Sequence, residues 1–276
     1  MTLVLAAIVS VQSGAAVATT LFDELGPTGT VLARLGFAAL VLVAIWRPSL
    51  RGVRGTRLRD VALFGVALAA MNTSFYLSLD RIPLGIAVTL EFVGPLGVAL
   101  VGSRRRSDLL WVAMAAGGIL LLAPTPGGGL DALGVGLALL AGAFWAAYIV
   151  LSERIGRSFA GGQGLALAMC VAAILLLGPG IVDGGGELLD PALLAVGFAV
   201  AMLSSAIPYS LEMEALRRLP RGTFGVLMSL EPGVAATVGL IGLDQALAAR
   251  EVIAIVLVVI ASAGALSSAR TAVTEA

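Results

Sequence analysis

Histidine and lysine are both absent from this chain of 276 residues, and cysteine occurs only once. Without histidine, a group that titrates near neutral pH would have to be a carboxyl group in an unusual environment. The lone Cys170 excludes a disulfide within the chain, and it lacks the basic neighbour that a reactive thiol needs. A Gly-Lys-Ser/Thr nucleotide-binding motif is also absent, which argues against an ATP-driven pump. We expect no cofactor and no metal site.

Charged residues are scarce as well, at 12% of the chain, whereas 59% of the residues are hydrophobic and the mean hydropathy is +1.04. A soluble domain would carry more polar residues on its outer faces, so the composition indicates an integral membrane protein. No basic patch is interleaved with aromatic residues, and we expect a lipid bilayer but no nucleic acid as a partner. The N-terminus lacks a basic segment before its first apolar stretch, which indicates a membrane span and not a cleaved signal peptide.

Apolar blocks bounded by proline, glycine or charged residues predict an all-α integral membrane protein. A span of about 20 apolar residues crosses the hydrocarbon core, and the chain has room for roughly ten such spans. The predicted transmembrane helices cover residues 3–22, 29–46, 60–79, 84–102, 109–124, 133–151, 164–182, 191–211, 222–242 and 252–268.

The arginines predict how these spans are oriented. Of the 17 arginines, 14 fall in alternate connections or in the C-terminal tail, and only Arg81 and Arg250 fall on the opposite side of the membrane. Basic residues concentrate in the cytoplasmic loops of membrane proteins. We therefore predict a multi-pass protein of the inner (plasma) membrane, with both termini cytoplasmic and the 125–132 connection periplasmic.

The two halves of the chain share a proline pattern. Pro83 and Pro95 are 12 residues apart, as are Pro220 and Pro232, and an offset of 137 aligns the segments around Pro83 and Pro220 without a gap. Since each half has an odd number of spans, the halves must insert in opposite orientations, as they do in transporters built from inverted repeats. We predict two inverted five-helix repeats, at 1–126 and 132–270, and a cytoplasmic tail at 271–276.

Two carboxylates lie deep within predicted spans. Glu91 belongs to the segment 90–95 (LEFVGP), and Glu231 directly precedes a proline at the equivalent place in the second half. A charge in hydrocarbon costs roughly 3 kcal/mol, so such residues persist mainly where they face a cavity, a partner or a transported species. At 1.5 Å per residue, Glu91, Glu231 and Arg34 lie about 12, 14 and 10 Å from the outer surface. We expect all three at one level, in a substrate-binding or coupling site.

Arg34 has two open roles. It is either the counter-ion of Glu91 or Glu231, or the receptor for a substrate carboxylate, which a guanidinium binds through two parallel hydrogen bonds. Two carboxylates and one arginine leave one carboxylate unpaired, and this would suit proton-coupled exchange. The alternative for Glu91 is a buried structural carboxylate that Arg34 holds in place.

Polar and aromatic side chains of spans three, six and eight could line the same cavity. The candidates are Asn72, Tyr76, Trp145, Tyr148, Ser204, Ser205 and Tyr209. For those in spans three and six, ordinary hydrogen bonding or packing between helices is the alternative. Pro208 could unwind span eight beside a cavity, because a neighbour must then satisfy the freed backbone group. By contrast, we expect Glu212 and Glu214 to be solvated at the cytoplasmic rim.

Two stretches of the chain carry a resemblance to a known family. The first comprises 71–76 (MNTSFY) and 81–96 (RIPLGIAVTLEFVGPL), and the second comprises 208–213 (PYSLEM) and 228–232 (MSLEP). They resemble the threonine/homoserine exporter branch of the drug/metabolite transporter superfamily (EamA-type). The resemblance implies ten helices, an inner-membrane location and efflux of small amino acids or similar metabolites.

The sequence therefore predicts a secondary active exporter that works by alternating access around a midplane cavity, coupled to protons. A transporter of the same type for a different small metabolite is the alternative, because the contents of the pocket and not the fold decide the substrate. An enzyme is disfavoured, since it would need a nucleophile with a base or a metal cluster. A membrane protein without a transport function would not need two midplane carboxylates.

Overall fold

The computed structural model describes residues 2–51, 53–101, 107–122, 130–219 and 221–274, and within these ranges the chain is helical and forms no strand. The prediction of an all-α protein is confirmed. Outside the described residues lie 125–129 of the predicted 125–132 connection, the arginines at 104–106 and Pro220.

The helices follow one another with short connections. They are α1 (Thr2–Thr19), α2 (Phe22–Trp46), α3 (Thr56–Leu79), α4 (Leu84–Glu91), α5 (Val93–Val101), α6 (Ser107–Leu121), α7 (Ala132–Ser158), α8 (Gln163–Gly184), α9 (Pro191–Ala201), α10 (Ile207–Arg218), α11 (Arg221–Met228), α12 (Glu231–Gly242) and α13 (Ala249–Thr274). A 3-10 turn (Gly185–Leu189) follows α8, and a π-helical turn (Met202–Ala206) joins α9 to α10.

These elements group into ten helical segments, as predicted, because α4 with α5, α9 with α10, and α11 with α12 each form one interrupted segment. Among the described residues, five helices are long and apolar enough to cross a membrane on their own, namely α1, α2, α3, α7 and α8 with its 3-10 turn. The chain is thus a multi-pass membrane protein.

Proline breaks two of the segments that the sequence treats as continuous spans. Pro95 has no N–H to donate to the carbonyl of Glu91, and α4 ends at that residue. Pro232 likewise leaves the carbonyl of Met228 without its helical donor, and α11 ends there. As a result, Glu91 is the last residue of one half-helix, whereas Glu231 is the first residue of another.

Glycines bring these half-helices into close contact with their neighbours. A Cβ on Gly85 of α4 would lie 2.6 Å from the Cα of Ala236 in α12. A Cβ on Gly142 of α7 would lie 2.6 Å from the carbonyl oxygen of Glu91. Such distances are possible only without a side chain, as in other tightly packed membrane helices. The short α4 is thereby held between α12 and α7, and its carboxylate is placed in the interior.

Polar contacts tie α4 and α7 to the rest of the bundle at the end where both begin. The backbone N–H of Leu84 donates to Oε1 of Gln245 at 2.9 Å, which caps α4 from the second half of the chain. Arg81 forms an ion pair with Asp131 at 3.4 Å. Hydrogen bonds from the backbone N–H groups of Gly134 and Leu133, together with the charge of Arg81, hold the pKa of Asp131 below its usual value. Asp131 therefore caps α7 in its ionised form.

A kink in α2 is stabilised in a similar way by α8. Gly26 has a positive φ of 63°, and the helix restarts at Pro27. The side chain of Asp183 accepts hydrogen bonds from the N–H of Thr28 at 3.1 Å and from its hydroxyl at 2.8 Å. This carboxylate takes the place of an N-cap for the long part of α2 and joins the two helices.

Candidate functional site

A cavity of about 180 Å³ lies where the breaks of α4–α5 and α11–α12 meet α1, α2, α3, α7 and α10. Four of its lining residues can carry charge, namely Arg34, Glu91, Glu212 and Glu231. At about 30 Å³ per water molecule, this volume holds about six waters. The site is therefore a small polar chamber inside an apolar bundle.

Glu91 and Glu231 are both buried at this cavity, with 9% and 6% of their surface exposed. The two carboxyl groups interact electrostatically with each other, and Glu91 also interacts with Arg34. Glu231 accepts a hydrogen bond at 3.0 Å from Nε2 of Gln12, on α1. As predicted from their depths, the structure brings Glu91, Glu231 and Arg34 together in one cavity.

Arg34 does not pair with a carboxylate in this conformation. One of its Nη atoms donates to the hydroxyl of Tyr76 at 3.1 Å, and the guanidinium lies 5.4 Å from the centre of the Tyr76 ring. Its other Nη atom points to the carbonyl of Ser204 at 3.5 Å. Within the described part of the chain, no ion pair within 4.0 Å involves Arg34. Its hydrogen bonds within these residues go to neutral groups, so the guanidinium can still bind an anion.

The π-helical turn between α9 and α10 shapes the side of the cavity near Arg34. Within it, the N–H of Ile207 donates to the carbonyl of Met202, five residues earlier, and the next proline, Pro208, has no N–H to donate. The carbonyl of Leu203 accepts instead from the hydroxyl of Ser10 on α1, at 2.7 Å. The widened turn thus exposes backbone oxygens to side chains of neighbouring helices, the arrangement expected from Pro208.

The other predicted site residues divide into two groups. Asn72, Trp145 and Tyr148 line the cavity. Trp145 packs edge-on against Phe92 at 5.5 Å, and Tyr148 stacks on a second aromatic ring at 5.0 Å, so each also contributes to helix packing. The amide of Asn72 donates to the carbonyl one turn earlier on its own helix.

Tyr76 and Ser205 do not line the cavity in the way that the sequence suggested. Tyr76 is fully buried and reaches the site only through Arg34. Ser205 is buried at 2% exposure, and its neighbour Ser204 lines the cavity in its place. The backbone of Tyr209 lies in α10, whereas its side chain is outside the described part of the structure.

Two cavity residues were missed or misplaced by the sequence reasoning. Glu212 was expected in solvent at the rim, but it lines the cavity and interacts electrostatically with Glu231. The register of α10 turns it inward, one turn past Pro208. Gln12 was not considered, although a lone amide within an apolar span is itself a signal of an interior contact.

A second cavity, of about 400 Å³, adjoins the first along α5, α7, α10 and α11. The two cavities share Trp145, Glu212 and Met228. Within the described residues, no group of three Cys, Asp or Glu side chains could hold a metal ion. The arrangement can bind a small polar molecule and offers it a path along one half of the bundle.

Gly142→Ala is expected to disturb this site from a neighbouring helix. The added methyl group would lie 2.6 Å from the carbonyl oxygen of Glu91, and backbone atoms have to move to relieve the overlap. We expect a loss of about 1–3 kcal/mol in stability, the usual effect of overpacking. The measurement is thermal unfolding in detergent. Gly136→Ala on the same helix is the matched control, because a Cβ there meets nothing within 4 Å. Equal stability of the two variants would contradict the close contact.

Comparison with known proteins identifies the family. Residues 132–267 match the EamA-like transporter family. The threonine/homoserine exporter RhtA of Salmonella typhimurium (strain SL1344) is 44% identical over 263 residues, covering 94% of this chain and 88% of that protein. RhtA of Escherichia coli (strain K12) is 42% identical over 271 residues, covering 97% and 91% of the two chains.

A solved crystal structure of another protein has the same fold, with a TM-score of 0.66 over 98% of this chain and 97% of that one, at 20% identity. The relatives named above are transporters. They confirm the resemblance that two short stretches of sequence indicated. The chain belongs to the EamA-like transporter family.

Proposed function

We propose that this protein exports small neutral amino acids, such as threonine and homoserine, across the inner membrane. The observation that carries the proposal is a chamber that holds a guanidinium without a carboxylate partner beside two buried carboxyl groups. An amino acid is a zwitterion, so its carboxylate complements Arg34 and its ammonium group complements a glutamate. The names of the 42–44% identical relatives support the same substrate class.

The transport mechanism that we propose is alternating access between two inverted five-helix repeats, at 1–126 and 132–270, with a cytoplasmic tail at 271–276. Support comes from the two broken segments, which occur at equivalent places in the two halves. Discontinuous helices that meet near the midplane are typical binding sites of inverted-repeat transporters. The contact of α4 with α12 joins the two proposed repeats at the site itself.

Both termini are cytoplasmic in this proposal, because the arginine-rich connections lie on the side where the chain starts and finishes. A cysteine placed at position 129 on a Cys170→Ser background tests the orientation. We expect a membrane-impermeant thiol reagent to label it from the periplasm in intact cells. Labelling that requires permeabilised membranes would contradict this orientation.

With this orientation, the second cavity lies on the cytoplasmic side of the first. The second cavity runs along α5, α10 and α11, which are the cytoplasmic halves of their segments. At the outer end, the Gln245 cap of α4 and the Arg81–Asp131 pair hold the halves together. We propose that a substrate loaded from the cytoplasm reaches the chamber through this second cavity.

Protons are the coupling ion that this site favours. Without histidine or lysine anywhere in the chain, a carboxyl group is the natural proton carrier. Glu91 and Glu231 interact in one buried chamber, and two such carboxyl groups resist being ionised together. We propose that one of them takes up a proton during each transport cycle.

Counterflow in liposomes tests the substrate class. Purified protein is reconstituted into vesicles loaded with unlabelled threonine or homoserine, and labelled threonine is supplied outside. We expect labelled threonine to accumulate transiently, and we expect no accumulation in vesicles that contain Arg34→Met. Vesicles without protein measure leakage. If no amino acid supports counterflow while another metabolite does, the protein transports that metabolite and the amino-acid proposal fails.

A further inference from the structure

Four buried polar atoms in the described residues have no hydrogen-bond partner although their residues line the cavity. They are Oε1 of Gln12, Nε of Arg34, Oγ of Ser204 and Oε2 of Glu231. A buried polar atom without a partner is costly, and most such atoms in proteins are satisfied. Four of them around one chamber indicate that a bound molecule completes their hydrogen bonds.

By their chemistry, the four atoms fall into two groups. Oε1 of Gln12 and Oε2 of Glu231 are acceptors, and their residues are joined by the 3.0 Å hydrogen bond. Nε of Arg34 is a donor, and the guanidinium reaches the backbone of Ser204, whose hydroxyl is also free. One group therefore suits a donor, and the other suits an anion.

The orientation of the Gln12 amide follows from its neighbour. In the structure the NH2 group of the amide donates to Oε1 of Glu231, and a carboxyl oxygen can accept this hydrogen bond whether or not the group carries a proton. This turns the amide oxygen of Gln12 away from Glu231, where it remains without a partner although only 2% of the residue is exposed. Gln12 thus adds an acceptor beside Glu231 without adding a second negative charge.

We propose that Gln12 is a specificity-determining substrate ligand whose amide oxygen, together with Oε2 of Glu231, binds the ammonium group of the transported amino acid. An ammonium group has three donors, and two of them match these acceptors. Arg34 and Ser204 bind the carboxylate end, so the chamber selects molecules that carry both groups. The inference rests on the proposed function and assigns to α1 a part in the site.

Competition in the counterflow assay tests this assignment on the wild-type protein first. The probes are threonine and 2,3-dihydroxybutanoate, in which a hydroxyl replaces the ammonium group. We expect the hydroxy acid to compete at least about 100-fold more weakly, because a site built to bind a charged donor rejects an analogue that lacks it. Equal competition by the two molecules overturns the proposal without any variant.

Gln12→Met is the variant that isolates the amide, since methionine is unbranched and of similar length but offers no strong acceptor. We expect the KM for threonine to rise about 10- to 100-fold, and the preference for threonine over the hydroxy acid to fall by a similar factor. Gln163→Met, at the start of α8 and away from the cavity, is the matched control and should leave both values unchanged.

The outcomes separate this inference from the proposed function. Wild-type protein that does not exchange threonine or any other amino acid overturns the proposed function and this inference with it. If the wild-type protein exchanges threonine, and Gln12→Met has the same KM for threonine and the same preference for threonine over the hydroxy acid, only the role of Gln12 is overturned. Should Gln12→Met not be recovered as folded protein, the wild-type competition result decides.

Discussion

Glu91→Gln is expected to abolish uphill export while leaving the protein folded and inserted. Glutamine keeps the size and shape of the side chain, but it cannot take up or release a proton. Glu91 is buried at the break between α4 and α5, where it interacts electrostatically with Glu231 and Arg34. The substitution therefore removes one of the two carboxyl groups in the chamber that can bind and release a proton, and with it the coupling of transport to a proton gradient.

The measurement is threonine accumulation against its gradient in liposomes with an imposed pH difference. Glu153→Gln is the control, because this glutamate is an exposed residue of α7, 71% accessible, in an ion pair with Arg157. We expect the control to transport at the wild-type rate and Glu91→Gln to fall to the level of empty vesicles. Uphill transport by Glu91→Gln at the wild-type rate would show that Glu91 is not the coupling group.

Arg34→Met is expected to weaken threonine binding at least about 100-fold, because a charge-assisted hydrogen bond is worth about 1.5–3 kcal/mol and the guanidinium makes more than one. Within the described residues, the hydrogen bonds of the guanidinium go to neutral groups, the hydroxyl of Tyr76 and the carbonyl of Ser204, so it can still bind a substrate carboxylate. Direct binding to the purified protein in detergent, measured by calorimetry, is the readout: the affinity for threonine should fall, whereas the affinity for 1-aminopropan-2-ol, which lacks the carboxylate, should be the same in wild type and variant. If the variant binds threonine and 1-aminopropan-2-ol more weakly by the same factor, Arg34 maintains the structure of the chamber and is not a ligand of the carboxylate.

Thermal stability in detergent tests the other role of Arg34, as a counter-ion. A carboxylate left unpaired in the interior costs about 3–5 kcal/mol. Since Glu91 is the carboxyl group that interacts with Arg34, we expect Arg34→Met with Glu91→Gln to be more stable than Arg34→Met alone. The double variant with Glu231→Gln should recover less. If neither double variant exceeds Arg34→Met, the arginine has no carboxylate partner and is a substrate ligand alone.

The predictions from sequence succeeded where a residue's depth or helical position decides the outcome. Ten helical segments follow from hydropathy, and the depth of Glu91, Glu231 and Arg34 along their spans brought them to one cavity. However, the depth of a residue along its span does not show how its helix is rotated or which side chain the residue contacts. The sequence left Arg34 as either a counter-ion or a receptor for a substrate carboxylate, and it did not indicate the hydrogen bond to Tyr76, one turn beyond Asn72 on α3, that the structure shows.

Rotation explains the residues that the sequence misplaced. Glu212 belongs to the more polar end of α10, and its place near the end of the span suggested solvent, but the helix turns it toward Glu231. Of the two candidates Ser204 and Ser205 in the π-helical turn before Pro208, Ser204 lines the chamber and Ser205 does not. Adjacent residues of a helix point about 100° apart around its axis. In a span that is apolar on all sides, the sequence pattern does not show which of these directions faces the interior.

The sequence by itself determined the class of the protein, the number of its helices and the level at which its charges lie, because hydropathy and the 1.5 Å rise per residue are local properties. Only the tertiary structure decided which side chains meet. Gln12 donates a hydrogen bond to Glu231, which lies 219 residues later in the sequence. Gly142, which has no side chain, allows the backbone of Glu91 to pack closely against α7. Such contacts depend on how closely helices pack and how each is rotated, and these follow from the shapes of all the neighbours together.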